Sequence, residues 1–212
     1  EGTEVTDEAA LAELAGHQVQ LVPGDPRNIK VTTEDDLSRA AELVGTLSHS
    51  NCSSVRVGIG YDLHRFADGR QLVLGGVEIP GSRGLLGHSD GDAICHAVAD
   101  AVLGAANAGD IGQHFSDEDP RWKDASSIAL LRQVAAIVGN LGFVVNNVDV
   151  VVVTEQPKIR SIVDEIQKRV ADALMVTSQQ VAVKGKTNEG VGEIGRGEAI
   201  VVHAIASLNA IP

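Results

Sequence analysis

Asp62 and His64 are one residue apart at the end of Val55-Arg56-Val57-Gly58-Ile59-Gly60-Tyr61, an apolar run with strand character. On a strand this spacing sends both side chains to one face, so a carboxylate and an imidazole stand side by side. Further on, Asp92, His96 and Asp100 recur at i, i+4 and i+8 of a helical run, which places a histidine between two acids on one stripe. A ligating imidazole oriented by a carboxylate is built that way. Asp62, His64 and His96 would then offer three donors of borderline hardness and leave one position open for a substrate oxygen, the arrangement of a catalytic Zn²⁺. The same residue types also suit a strand end and a helix face that simply meet water, and spacing alone does not choose between the two.

Two further stretches could handle anions or polyols. Gly109-Asp110-Ile111-Gly112 and Phe115-Ser116-Asp117-Glu118-Asp119-Pro120 form loops dense in carboxylates. Lys184-Gly185-Lys186-Thr187-Asn188-Glu189-Gly190, running into Gly192-Glu193-Ile194-Gly195-Arg196-Gly197, combines cations, a hydroxyl and acids with glycines that let backbone approach an anion closely. The phosphate-binding Gly-x-x-x-x-Gly-Lys pattern is absent, and no Gly-x-Gly-x-x-Gly opens a helix, so both common nucleotide-binding folds are set aside.

The elements that must position these groups follow from periodicity. Residues 5 to 15 read as a short helix, 17 to 22 as extended, and Pro23-Gly24-Asp25-Pro26 as a turn. Thr33 caps a helix carrying Leu37, Ala40, Ala41 and Val44, with Gly45 as its stop. A polar stretch of small residues at 48–54 is the linker, dividing a unit at 1–47 from a domain at 55–212. That domain opens with the strand from Val55. A strand pair follows within 71–79, punctuated by Gly75-Gly76, and an Ala-rich helix, able to pack closely, spans 90–106. A second helix spans 124–141, Val144 to Thr154 is a β-branched central strand, and Pro157 starts a helix carrying Ile159, Ile162, Val163, Ile166 and Val170. Strands at 181–186 and 199–208 complete an α+β fold, a two-layer α/β sandwich with a mixed sheet.

Composition narrows the function. With 29 acidic against 17 basic residues the formal charge is −12, which argues against nucleic acid as a partner. Aromatic residues make up 2% of the chain, too few for stacking single-stranded nucleic acid. No apolar run approaches the roughly 18 residues of a membrane span, which argues against a membrane partner. Cys52 and Cys95 are too few for a disulfide scaffold, and the expected compartment is reducing. The first residue, Glu1, is not Met, which is consistent with a segment removed upstream.

Residues 58 to 209 resemble the 2-C-methyl-D-erythritol 2,4-cyclodiphosphate synthases of the non-mevalonate isoprenoid pathway. The resemblance rests on Gly60-Tyr61-Asp62-Leu63-His64-Arg65-Phe66, Leu74-Gly75-Gly76-Val77, His88-Ser89-Asp90-Gly91-Asp92 with His96, Gly109-Asp110-Ile111-Gly112, Glu155-Gln156-Pro157-Lys158 and Gly195-Arg196-Gly197-Glu198. It implies a homotrimer with active sites between neighbouring subunits, each holding one Zn²⁺ and one Mg²⁺ or Mn²⁺. By the same resemblance Asp62, His64 and His96 are zinc ligands, Glu189 holds the second metal, and His88 and Thr187 stabilise the transition state. Asp110, Ile111 and Gly112, with Phe115, Ser116, Asp117, Glu118 and Asp119, receive the erythritol. Thr154, Glu155, Gln156, Pro157, Lys158, Ile159 and Arg160 form a cytidine pocket contributed by the adjacent subunit. Ser89, Lys186 and Arg196 contact phosphate, in loops that also carry Asn188 and Glu193. Glu193 stands where the family often has an apolar side chain near the trimer axis.

The activity implied is ring closure of 4-diphosphocytidyl-2-C-methyl-D-erythritol 2-phosphate with release of CMP. A zinc-dependent phosphoester hydrolase using the same three ligands, and a non-catalytic trimeric scaffold, are the rival readings. Residues 22–32 followed by Asp35-Asp36-Leu37 resemble the C-terminal end of 2-C-methyl-D-erythritol 4-phosphate cytidylyltransferase, which in some bacteria is fused to the synthase. The expected location is accordingly the bacterial cytoplasm.

Overall fold

The computed structural model describes residues 8–20, 22–25, 28–48 and 55–211. Of the expected linker at 48–54, residues 49–54 lie outside the described residues, as do Leu21, Pro26 and Arg27, while Ser48 belongs to the helix before it. The chain divides into two compact units, Glu1–Cys52 and Ser53–Pro212.

In the first unit α1 spans Glu8–Leu14 and α2 spans Glu34–Ser48. Asp36 accepts hydrogen bonds from the Thr32 and Thr33 backbone N–H groups at 3.0 and 2.9 Å, while the Thr33 hydroxyl accepts from Asp36 N at 3.2 Å. This reciprocal arrangement starts α2 where the sequence places it. The expected stop at Gly45 does not occur, and α2 continues to Ser48. A lone glycine costs a helix only about 1 kcal/mol, too little to end it by itself.

The second unit contains β1 (Arg56–Ala67), β2 (Leu72–Leu74), β3 (Val77–Ile79), β4 (Gly84–Leu85), α3 (Ala93–Ala106), α4 (Ile111–His114), α5 (Ser127–Asn140), β5 (Phe143–Val153), α6 (Val163–Leu174), β6 (Val181–Lys186), α7 (Gly192–Gly195) and β7 (Ala199–Ala210). The main sheet has the order β4-β1-β7-β5-β6, antiparallel except for the parallel β5–β6 pair, and β2 and β3 form a separate hairpin. Helices α3, α5 and α6 pack together as one layer against one sheet face. Val148, Val150 and Val152 of β5 and Ile200, Val202 and Leu208 of β7 are buried there against Val98, Leu131, Val134 and Ile166. Along β1 the alternation is reversed in character: Val57, Ile59, Tyr61 and Leu63 are exposed on the far face, while Gly58, Gly60, Asp62 and His64 turn toward the helices.

Several expectations are corrected. β1 does not end before Asp62, because β7 is long enough to pair with it as far as Arg65↔Ala199, and Asp62 and His64 are therefore held within the strand. The first domain helix starts at Ala93, not at 90, because Asp92 is its N-cap. Asp92 consequently leaves the proposed polar stripe: it is fully buried and accepts from Ile94 N and Cys95 N, both at 3.1 Å, and from the Gly75 and Gly76 N–H groups at 2.8 and 2.6 Å. The helix expected from 124 starts at Ser127, since Asp124 has a positive φ of 58°. The helix expected from Pro157 starts at Val163, after a cis Gln156–Pro157 bond and a 3₁₀ turn at Ile159–Ser161.

Candidate active site

The close packing of α3 on β1 builds the site. A Cβ on Gly60 would fall inside the van der Waals envelope of the Ala97 carbonyl oxygen, and one on Gly58 would collide with the Ala101 carbonyl. With no side chain between backbones, His96 on α3 comes down onto the strand beside Asp62 and His64. Asp62 Oδ2 lies 2.9 Å from His64 Nε2 and 3.0 Å from His96 Nδ1, and the two ring nitrogens are 3.2 Å apart. Among the described residues these three form the one cluster able to hold a metal ion.

Each imidazole is fixed from behind. His64 Nδ1 faces the Leu86 carbonyl oxygen, which can only accept, so the ring donates there and leaves the Nε2 lone pair toward Asp62. His96 Nε2 faces Ser127 Oγ at 2.9 Å and Ser89 Oγ at 3.1 Å, on the side of the ring away from Asp62. Three lone-pair donors thus converge on one point. The triangle they make is slightly tighter than the roughly 3.3–3.5 Å edges of a tetrahedral site with bonds of about 2.0–2.2 Å. A divalent cation fits this donor set, with a fourth position open to the cavity. Without it a proton takes its place. Burial opposes charge on Asp62, yet hydrogen bonds from His64 and His96 hold its carboxyl at about 2. Burial likewise lowers the pKa of His64, but Asp62 beside it more than reverses this and leaves it raised.

The cluster opens into a cavity of about 510 Å³. His88 and Ser89 line one side of it, and Ile111, Gly112, Phe115, Ser116, Asp117 and Glu118 another. His88 Nε2 is buried without a protein hydrogen-bond partner, a polar atom left for a ligand. Asp110 and Asp119, expected to receive substrate, also cap turns: Asp110 accepts from Gln113 N at 2.9 Å, and Asp119 accepts from Arg121 N at 3.0 Å. Phe115 packs edge-on against Trp122, with ring centroids 5.1 Å apart.

The other expected residues lie elsewhere in the same chain. Thr154, Pro157, Lys158, Ile159, Arg160, Lys186 and Thr187 line a separate cavity of about 420 Å³ beside the parallel β5–β6 pair. Glu155, Gln156 and Arg196 border a third, of about 490 Å³. Glu189 is not in the metal cluster; its carboxylate accepts from Thr187 Oγ1 at 2.7 Å. Glu155 Oε1 accepts from Asn188 N at 3.0 Å and Gly190 N at 3.2 Å, fastening the loop that carries Thr187 and Glu189. Glu193 is exposed on α7.

Asp100, placed with His96 on one helix stripe, accepts from Ile111 N at 2.8 Å and so ties the cavity wall to α3. Sequence reading missed Gly58 and Gly60 as packing positions, Leu86 as the partner of His64, and Ser127 as that of His96. The glycine alternation in β1 opposite an Ala-rich helix was the available signal; the others depend on tertiary contacts.

The fold and site define a mixed α/β protein with a carboxylate–diimidazole cluster, able to hold a metal ion, at an open polar cavity. The YgbB family model matches residues 55–209, and the chain belongs to that family. A second family, 2-C-methyl-D-erythritol 4-phosphate cytidylyltransferase, matches residues 1–46, at the N-terminal end of this chain. The chain is 53% identical over 205 residues to the bifunctional enzyme IspD/IspF of Anaeromyxobacter sp. (strain Fw109-5), covering 97% of this chain and 51% of that protein. It thus spans about half the length of that bifunctional relative. It is also 53% identical over 152 residues to the 2-C-methyl-D-erythritol 2,4-cyclodiphosphate synthase of Pelotomaculum thermopropionicum, covering 72% of this chain and 94% of that one. Among solved structures, a CDP complex of IspF from Plasmodium falciparum aligns with a TM-score of 0.66 and 34% identity, covering 76% of this chain and 100% of that chain. No helix among the described residues is long and apolar enough to cross a membrane.

Proposed function

We propose that this chain converts 4-diphosphocytidyl-2-C-methyl-D-erythritol 2-phosphate to 2-C-methyl-D-erythritol 2,4-cyclodiphosphate and CMP, in the non-mevalonate isoprenoid pathway. The observation that carries the reading is the convergence of Asp62, His64 and His96 at an open polar cavity in a YgbB-family chain. The reaction is intramolecular. An oxygen of the 2-phosphate forms a bond to the β-phosphorus, the bond from that phosphorus to the α–β bridging oxygen breaks, and CMP departs with that oxygen. No protein nucleophile is required, so positioning and charge cancellation carry the acceleration.

Zn²⁺ on Asp62, His64 and His96, with Mg²⁺ or Mn²⁺ at Glu189, would supply Lewis-acid polarisation and offset the charge of a polyanion on a chain of formal charge −12. The residues of the chain do the positioning. Asp110, Ile111 and Gly112, with Phe115, Ser116, Asp117, Glu118 and Asp119, enclose the erythritol. Thr154 to Arg160 accept the cytidine, and Ser89, Lys186 and Arg196 meet the phosphates. His88, with its unpartnered Nε2, and Thr187 stabilise the charge that develops on the transferring phosphoryl group.

The assembly proposed is a homotrimer with active sites between subunits. Its support is twofold: metal-side and cytidine-side residues line separate cavities in one subunit, and the far sheet face exposes the apolar row Val57, Ile59, Tyr61 and Leu63. Residues 1–47 are read as the end of a cytidylyltransferase domain, 48–54 as a linker and 55–212 as the synthase domain. A bacterial cytoplasmic location is consistent with the bacterial relatives.

The test is incubation with the cytidine substrate, with products followed by phosphorus NMR. Cyclic diphosphate and CMP are expected. Linear hydrolysis products would favour a zinc hydrolase, and a chain that neither turns over nor holds zinc at one per chain would favour a scaffold.

A further inference from the structure

We infer that Asp90 and Ser127 are positioning residues that select the metal-binding tautomer of His96. The inference rests on the metal reading of Asp62, His64 and His96. Ser127 is buried, and its hydroxyl makes a short hydrogen bond to Asp90 Oδ1 while its backbone N–H donates to Asp90 Oδ2 at 3.0 Å. An ionised carboxylate can only accept, so the Ser127 proton belongs to that bond. Ser127 Oγ then faces His96 Nε2, 2.9 Å away, with lone pairs alone, and with the Ser89 proton directed to Ser127 Oγ the Ser89 hydroxyl, 3.1 Å from the same nitrogen, also presents a lone pair, so the imidazole carries its proton on Nε2. His96 Nδ1 is thereby free to give its lone pair to a cation shared with Asp62 and His64, in place of the proton that otherwise lies between Nδ1 and the Asp62 carboxylate.

The remaining groups agree with this direction. Ser89 Oγ accepts from Gly91 N at 3.3 Å and can donate to Ser127 Oγ at 3.2 Å, using the second lone pair there. Asp90 is itself fixed, because its N–H donates to the Ala125 carbonyl at 3.1 Å and Asp124 N donates to the His88 carbonyl at 2.9 Å. The segment carrying Asp90 is thereby stitched to the one that starts α5. His64 offers a contrast within the same site: a main-chain carbonyl sets its tautomer, which no side-chain substitution alters, whereas that of His96 depends on two side chains.

Asp90→Asn tests this with little change of shape. The amide can donate to Ser127 Oγ, which frees the hydroxyl to donate to His96 Nε2 and moves the imidazole proton to Nδ1, where it blocks the metal. Ser127→Ala removes the relay altogether. Zinc affinity of the chelator-stripped chain is measured by competition with a chromophoric chelator, and histidine tautomers by ¹⁵N imidazole NMR. Both variants are expected to bind zinc about 10- to 100-fold more weakly. In Asp90→Asn the His96 signal should change from the Nε2–H to the Nδ1–H pattern, while the His64 signal stays put. Unchanged zinc affinity in both variants overturns the inference. So does weakened affinity with the His96 tautomer unaltered in Asp90→Asn, which would make Asp90 a loop anchor only. Failure of the wild-type chain to bind zinc would instead contradict the metal reading beneath it.

Discussion

Gly60 of β1 lies directly under the Ala97 carbonyl of α3, so close that no Cβ fits between the two backbones. His96 precedes Ala97 and Asp62 follows Gly60 by two, so this approach sets the distance between an imidazole and a carboxylate that are far apart in sequence. The convergence of Asp62, His64 and His96 is thus a consequence of a packing contact between residues without functional groups of their own.

Gly60→Ala is accordingly expected to act at two levels. Overpacking a tight contact costs roughly 1–3 kcal/mol, which urea denaturation reads as a lower midpoint. The displaced helix should also weaken zinc binding, although no donor has been changed. Unchanged stability and unchanged affinity would mean that α3 has room to move.

Asp92 is the second structural anchor. Its carboxylate accepts from four backbone N–H groups, those of Gly75, Gly76, Ile94 and Cys95, and from the Cys95 thiol at 3.2 Å. Asp92→Ala leaves these buried donors unpaired, and a loss of roughly 3–5 kcal/mol is expected from costs of about 1–3 kcal/mol per buried group that do not fully add. Chemical denaturation measures it; a loss below about 1 kcal/mol would require water to replace the carboxylate.

Glu155 acts on a different loop. Because its Oε1 holds the Asn188 and Gly190 N–H groups, Glu155→Ala should loosen Thr187 and Glu189 while leaving the zinc donors untouched. Turnover is expected to fall by up to about 10²-fold, as for a misplaced catalytic group, at unchanged zinc affinity. A parallel loss of zinc would contradict the separation of these two parts of the chain.

The start of α2 supplies a pH prediction. Hydrogen bonds from Thr32 and Thr33 lower the Asp36 carboxyl to about 2. A carboxylate with a depressed folded pKa adds stability above its ordinary value of 3.8, and that contribution disappears as pH falls through about 2. The Thr33 amide resonance should therefore titrate with a midpoint near the lower value, and its protection should vanish below it. A midpoint at the ordinary carboxylate value would remove the cap.

Much of the fold is legible in the chain because its elements obey simple periods. The β-branched run at 144–154 forms β5, with Val145, Val148, Val150 and Val152 buried on one face, and the stripes on α5 and α6 face the core. Boundaries are less legible where side chains override propensity, as at Asp92, whose capping bonds move the start of α3 and withdraw it from the polar stripe. The three metal donors are readable from spacing and type. Their supports are not: Leu86 contributes only a carbonyl, and Ser127 meets His96 only because α5 packs against α3. Asp110 and Asp119 look like a binding surface in sequence for the same reason that they cap turns in the structure, since a short carboxylate serves either use.

The central claim, that Asp62, His64 and His96 together hold the ion on which ring closure depends, is tested most directly by measuring zinc content and product formation in the same preparations of the wild-type chain and of His96→Ala. One zinc per chain with cyclic diphosphate and CMP is expected for the wild type, and loss of both zinc and turnover for a variant that keeps its fold. A folded His96→Ala chain that closes the ring at the wild-type rate would contradict it.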